Sequence, residues 1–210
     1  MLNSNPSYVS VNSKPVGAVI FDLDGTLTKP YFDFDAIRRE IGLPTEPKTT
    51  ILEALEQMTA QQRARAKEIL HRHEENGAQA SELREGAREV VAAIRKRSIP
   101  VGILTRNSRR SVQTVITRHG LEFDWLHARE DGPIKPSPES VLDICGRFGV
   151  APESAWVIGD HQFDLQAGNQ AGATTVLMIG DGPQPDFAQQ ADHVIRCLHD
   201  LLDLLSITTK

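Results

Sequence analysis

The strongest pattern along the chain is a series of short apolar runs without alternation, each closed by a polar residue. "VGAVIF" (16–21), "IPVGILT" (99–105), "AWVIGD" (155–160) and "TTVLMIG" (174–180) are rich in Val, Ile and Leu, which predicts strands buried on both faces. "FDWLHA" (123–128) and "HVI" (193–195) are shorter strand candidates. Between these runs the apolar positions fall at helical spacing. "EGAREVVAAIRKRS" (85–98) places Val90, Val91 and Ile94 on one side. "SRRSVQTVITRHG" (108–120) offers Asn107 or Ser108 as an N-cap and Gly120 as a stop, and "SPESVLDICGRFG" (137–149) reads as Ser137 capping, Pro138 at the first helical position and Gly149 past the end. "FDLQAGNQAG" (163–172) and "LHDLLDLL" (198–205) are further helices. The stretch 30–82 differs. "YFDFDAIRREIG", "TTILEALEQM" and "AQQRARAKEILHRHEEN" all read as helices, with no strand among them.

Strands alternating with helices predict an α/β fold: a Rossmann-like parallel sheet with helices on both faces. The expected organisation is a core of residues 16–29 and 83–210, a small all-helical segment 30–82 inserted after the first strand, and a flexible tail over 1–15. There are no internal repeats.

Composition narrows the picture. A length of 210 residues, 40% apolar and 24% charged, suits one sizeable domain with an insertion. The net charge of -5 carries no basic footprint for nucleic acid, and the local cluster Arg106, Arg109 and Arg110 is expected to be a solvated helix face. No apolar run approaches the ~20 residues of a membrane span. The first residues lack a signal-peptide core. Cys145 and Cys197 are too few for a disulfide framework, and both are expected to be small core side chains. A reducing cytoplasm is the simplest location.

In an open α/β sheet ligands bind at the carboxyl ends of the strands, so the residues that close each run matter most. The first run ends in Asp22 and Asp24, the second in Thr105, Arg106 and Asn107, and the "AWVIG" run in Asp160 and Asp164. Lys135, in "IKPSPE", precedes a helix. Several carboxylates in one crevice cannot all stay ionised without a cation. An all-oxygen donor set with open positions favours Mg²⁺. A crevice with a metal, a lysine and a threonine hydroxyl suits a phosphoryl group, whose transfer depends on charge neutralisation and positioning. One Asp can attack phosphorus and a second can protonate the leaving oxygen.

Taken in this order, "DLDGTLT", "ILTRN", "IKPSPE" and "GDHQFDLQAGNQAGA" resemble the motifs of the haloacid dehalogenase-like hydrolases, in the branch with a helical cap after the first motif. The resemblance spans about Val16 to Leu205 and is specific for the superfamily, not for a substrate. It implies that Asp22 is the nucleophile and a Mg²⁺ ligand, and that Asp24 is the general acid and base and a metal ligand through its backbone carbonyl. It implies that Thr105 and Lys135 hold the phosphoryl oxygens, that Asp160 ligates Mg²⁺, and that Asp164 supports Lys135 or a metal-bound water. It implies that Thr26 and the amides near Asn107 help orientation.

The expected function is that of a Mg²⁺-dependent phosphatase acting on a small phosphorylated metabolite, in the style of phosphoglycolate phosphatase. A phosphosugar mutase of the β-phosphoglucomutase type and a non-catalytic binding protein are the alternatives. Asp24 argues against a 2-haloacid dehalogenase or a phosphonoacetaldehyde hydrolase. Two departures stand out: Arg106 intervenes before Asn107, and can reach substrate or face solvent, and the cap is short. Lys29 and Tyr31, near the hinge, lead the candidates for reading the rest of the substrate. Lys48 is a further candidate; Arg38, Arg39, His71 and His73 are expected on charged helix faces, and Phe32 and Phe34 in the cap interior.

Overall fold

A computed structural model describes residues 15–207 of the chain; the expected tail over 1–15 therefore lies, apart from Pro15, outside the described residues. The strands are β1 (Ala18–Phe21), β2 (Val101–Leu104), β3 (Trp125–His127), β4 (Ala155–Gly159), β5 (Thr174–Met178) and β6 (His193–Ile195). They form one parallel sheet in the order β3-β2-β1-β4-β5-β6. β1 is central and fully buried, as its unbroken apolar sequence requires. Val19 pairs with Val101 on one side and Trp156 on the other, and Phe21 with Ile103 and Ile158.

The helices are α1 (Phe34–Ile41), α2 (Ile51–Glu56), α3 (Ala60–Ala80), α4 (Ala87–Lys96), α5 (Arg109–His119), α6 (Glu139–Phe148), α7 (Gln162–Ala171) and α8 (Leu198–Leu204). Two apolar clusters lie against the sheet. One joins α4, α5 and α8 to Val19, Phe21, Ile103 and Ile158. The other joins α6 and α7 to Ala18, Ile20, Leu104 and Val157. Successive β1 side chains thus serve opposite clusters, as strand geometry dictates. The chain between β1 and α4 forms α1, α2 and α3 with an apolar cluster of its own, centred on Ile37, Ile51, Leu55, Ala66 and Leu70. α3 is started by a capping box between Thr59 and Gln62 and packs against α5.

The strand order reverses direction between β1 and β4. That is the switch point at which a doubly wound sheet leaves a crevice beyond its strand ends. Asp22 follows β1 and Asp160 follows β4, so adjacent strands deliver both carboxylates to that crevice.

Four local expectations need correction. α6 begins one residue later than the sequence suggests, with Pro138 at the cap and no side-chain cap bond. Cys197 is exposed, at the start of α8, while Cys145 is buried as expected. Arg38 is buried, because its guanidinium donates to the Thr49 carbonyl and to Asp35 and so satisfies itself inside the fold. Phe34 is 48% exposed rather than interior.

Candidate active site

The site is built around Lys135. Its ammonium is buried and donates to Asp22 Oδ1 and Asp164 Oδ1, at 2.5 Å each. Such charge-assisted bonds are the strong ones, and they offset the burial of the ammonium. Asp164 is held in turn by the backbone N–H of His161, which donates to its Oδ2 at 3.0 Å as part of the cap that starts α7. Asp160 accepts from the Thr26 hydroxyl at 3.3 Å. One ligand atom each from Asp22, Asp160 and Asp164 fall within 4.8 Å of one another.

Crowding raises these carboxyls. Burial lifts Asp22 to about 6, against the pull of Lys135. Burial, together with the charge of Asp22, lifts Asp24 to about 7. Burial and the charges of Asp22 and Asp164 lift Asp160 to about 8. Asp24 Oδ1 is buried without a hydrogen-bond partner. An orphaned carboxyl oxygen is unusual in a folded interior.

The sequence places glycine where the carboxylates come closest. Gly25 has φ +90, and a Cβ there would lie 2.2 Å from Asp160 Oδ2; the motif needs glycine for its backbone and for this approach. A Cβ on Gly159 would lie 2.1 Å from Asp164 Cγ. Gly159→Ala is therefore expected to displace Asp164, loosen Lys135 and cost about 1–3 kcal/mol, as overpacking a dense interior does. Denaturant unfolding checks this; a midpoint unchanged from the parent would show that Asp164 is not confined there.

A cavity of about 290 Å³ opens above these groups. Asp22, Asp24, Thr105, Asn107, Lys135, Asp160 and Asp164 all line it. The Thr105 hydroxyl accepts from the Asn107 N–H at 3.1 Å, so that amide is already engaged. Asn107 Nδ2 donates to the Tyr31 hydroxyl at 3.3 Å. Tyr31 thus braces Asn107 from behind and does not itself line the cavity. Burial raises its phenol above the usual range, so it stays protonated. Arg106 reaches the cavity, yet it is neither free for substrate nor turned to solvent. It donates to both oxygens of Glu53 on α2, at 2.7 and 2.9 Å, and to the Lys135 carbonyl. Lys29 stands outside the cavity in an exposed pair with Glu82. Among the other candidates Arg38 lines the cavity, while His71 and His73 do not and pair with Glu75 and Glu40. Arg109 and Arg110 are exposed and paired with Asp131 and Glu75.

Some contributors carry no motif. Glu74 on α3 is buried and receives Arg129 at 2.6 and 3.0 Å. Its signal was available: Ala66, Leu70, Glu74 and Ala78 follow one another at four-residue spacing, so a carboxylate stands in the buried stripe. Arg84 donates to the Gly25 carbonyl at 2.7 Å and braces the turn that carries Asp24; nothing in its sequence context marks it.

The donor set fits a hard divalent cation. One ammonium faces the carboxylates of Asp22, Asp160 and Asp164, and both Asp164 oxygens are engaged by N–H donors. Asp22 and Asp160 keep oxygen capacity to spare, and oxygen-only coordination with few carboxylates suits Mg²⁺.

A parallel α/β sheet with a carboxylate crevice at its switch point, roofed by helices inserted after the first strand, defines a class of hydrolase. A sequence model of the haloacid dehalogenase-like hydrolases matches residues 16–172, and the chain belongs to that family. A hydrolase of Saccharomyces cerevisiae is 30% identical over 171 residues, covering 79% of this chain and 78% of its own. A phosphoglycolate phosphatase of Synechococcus elongatus is 26% identical over 175 residues, covering 77% and 82%. The crystal structure of a hydrolase from Pseudomonas syringae superimposes with a TM-score of 0.78 at 22% identity, over 92% of this chain and 100% of that one. No helix among the described residues is long and apolar enough to cross a membrane.

Proposed function

We propose that this enzyme is a Mg²⁺-dependent phosphatase that hydrolyses a small phosphomonoester through an aspartyl-phosphate on Asp22. The observation that carries this reading is the pairing of two carboxyls with different environments. Asp22 is paired with Lys135 at 2.5 Å, whereas Asp24 has a buried oxygen without a partner and is pushed up to about 7 by burial and the charge of Asp22. Different environments of this kind support one group as nucleophile and the other as acid.

The steps follow from the residues. Asp22 attacks phosphorus, and the ester P–O bond breaks as the leaving oxygen takes the proton of Asp24. The Asp24 carboxylate then takes a proton from water, whose oxygen displaces the Asp22 carboxylate and releases phosphate. Lys135 and the Thr105 hydroxyl balance charge on the phosphoryl oxygens. Asp164 fixes Lys135, and Thr26 fixes Asp160. Asp22, Asp160 and the Asp24 backbone carbonyl would hold Mg²⁺, which would supply charge neutralisation. Residues 30–82 act as a cap over the core formed by 16–29 and 83–210, excluding water from the intermediate. The phosphatase among the relatives supports a phosphorylated small molecule as the substrate class. The free thiols fit a cytoplasmic setting.

The test is phosphate release from a panel of phosphomonoesters, with Mg²⁺ and with EDTA. Turnover that EDTA abolishes is expected. Turnover indifferent to EDTA would overturn the metal assignment, and no turnover on any ester would overturn the activity.

A further inference from the structure

The cavity has two halves of opposite chemistry. Its floor is the ionic cluster around Lys135. Its walls, from the inserted segment and from α7, present Pro30, Phe34, Ile51, Leu52, Leu70 and Phe163. Four cationic side chains reach it, and each is already matched. Lys135 is held by Asp22 and Asp164. Arg106 is held by both oxygens of Glu53, and its guanidinium lies 4.8 Å from the centre of the Phe163 ring. Arg129 is held by both oxygens of Glu74. Arg38 is held by Asp35 and the Thr49 carbonyl.

A substrate carrying a second anionic group must therefore break one of these pairs or lie unmatched beside carboxylates. For Lys135, and for Arg129 with the buried Glu74, breaking the pair leaves a buried charge behind; at the more exposed Glu53 and Asp35 the anion must still displace a carboxylate already in place. An uncharged group with an apolar face needs no such exchange. It removes apolar wall from water while the phosphoryl group occupies the floor. The cavity volume of about 290 Å³ lies just below the range of roughly 300–1,000 Å³ for ligand pockets. That favours one ring or a short branched chain as the leaving group.

We propose that the leaving group of the substrate is small, uncharged and apolar on one face, and that Phe34 and Phe163 with the wall of Ile51, Leu52 and Leu70 select it. This deepens the phosphatase reading and rests on it. The outcome also separates this chain from its phosphoglycolate-hydrolysing relative, whose substrate carries a carboxylate.

The experiment compares kcat/KM for benzyl and isobutyl phosphate with that for phosphoglycolate, using the full chain and Mg²⁺. A preference of at least about tenfold for the uncharged esters is expected from the unmatched charge. Phe34 is half exposed at the mouth, so Phe34→Ala is compatible with folding. It is expected to lower kcat/KM for benzyl phosphate by about three- to tenfold, through KM, and to affect methyl phosphate less. Better turnover of phosphoglycolate, or an equal effect of Phe34→Ala on ring-bearing and methyl esters, would overturn the proposal. If no ester is hydrolysed, the phosphatase reading fails. Calorimetric titration with benzylphosphonate and phosphonoacetate then decides the cavity's preference alone: tighter phosphonoacetate overturns it, and tighter benzylphosphonate upholds the apolar selection.

Discussion

Asp22→Asn is expected to reduce phosphate release by a factor on the order of 10⁴ or more, the scale on which removing an attacking residue acts. Asparagine keeps the shape of the side chain but offers no anion to attack phosphorus. Asp24→Asn removes proton transfer while leaving the attacking group, and a smaller loss of roughly 10²–10⁴ is expected. The two variants differ in a second way. Asp24→Asn should accumulate phosphorylated protein with an activated ester, because its carboxylate is needed to draw the proton from water; Asp22→Asn should not be labelled at all. Asp22→Asn relieves repulsion with Asp160 and Asp164 but takes one of two carboxylates from the buried Lys135, which keeps Asp164, so thermal unfolding of the variant accompanies the assay. Most of the activity surviving in Asp22→Asn, with the fold intact, would remove the covalent intermediate from the account.

The second large effect concerns pH and metal. Asp22, Asp24 and Asp160 are raised from 3.8 to about 6, 7 and 8. A carboxyl raised on folding stabilises the folded state fully below its unfolded value. It loses that contribution as pH climbs through the folded value. The metal-free protein is therefore expected to weaken from about pH 5 to pH 8 through these groups. Lys135 stays charged throughout, since its value is raised. A divalent cation reverses the sign, because it favours the ionised carboxylates. At a hundredfold excess over Kd it contributes about 2.7 kcal/mol, a Tm shift of about 5–10 °C for a chain of this size. Thermal unfolding with Mg²⁺ and with EDTA should show a gap that widens from pH 5 to pH 8. An equal gap at both would mean that the metal does not bind through these carboxylates.

The sheet was legible because each strand is buried on both faces and so carries an unbroken apolar run. Chemistry could then be sought at the run ends, and Asp22, Asp24, Thr105, Lys135 and Asp160 indeed line one cavity. Pairing across long sequence separations was not legible. Nothing in "RN" reveals that Arg106 meets Glu53, which lies on a different element. Lys29 was sought near the substrate because it follows the first motif, but proximity along the chain does not fix where a long side chain ends. Arg38 was read as exposed from its charged helix; its burial depends on the Thr49 carbonyl, contributed by a loop that helix periodicity does not describe. Cys197 sits in an apolar neighbourhood of sequence but opens a helix at the surface.

α3 has a consequence for how far the molecule can be taken apart. Its 21 residues, about 30 Å of helix, contribute Ala66 and Leu70 to the interior of the insertion and Ala78 to the main core. Ser111 on α5 donates to the Glu74 carbonyl, and Ser81 just past the end of α3 meets His119. The same helix is thus interior to both halves. Excising residues 30–82 would strip α5 of its neighbour and open the main core at Ala78. The insertion is consequently not a detachable module that could be swapped between relatives, and the cooperativity of unfolding runs through it.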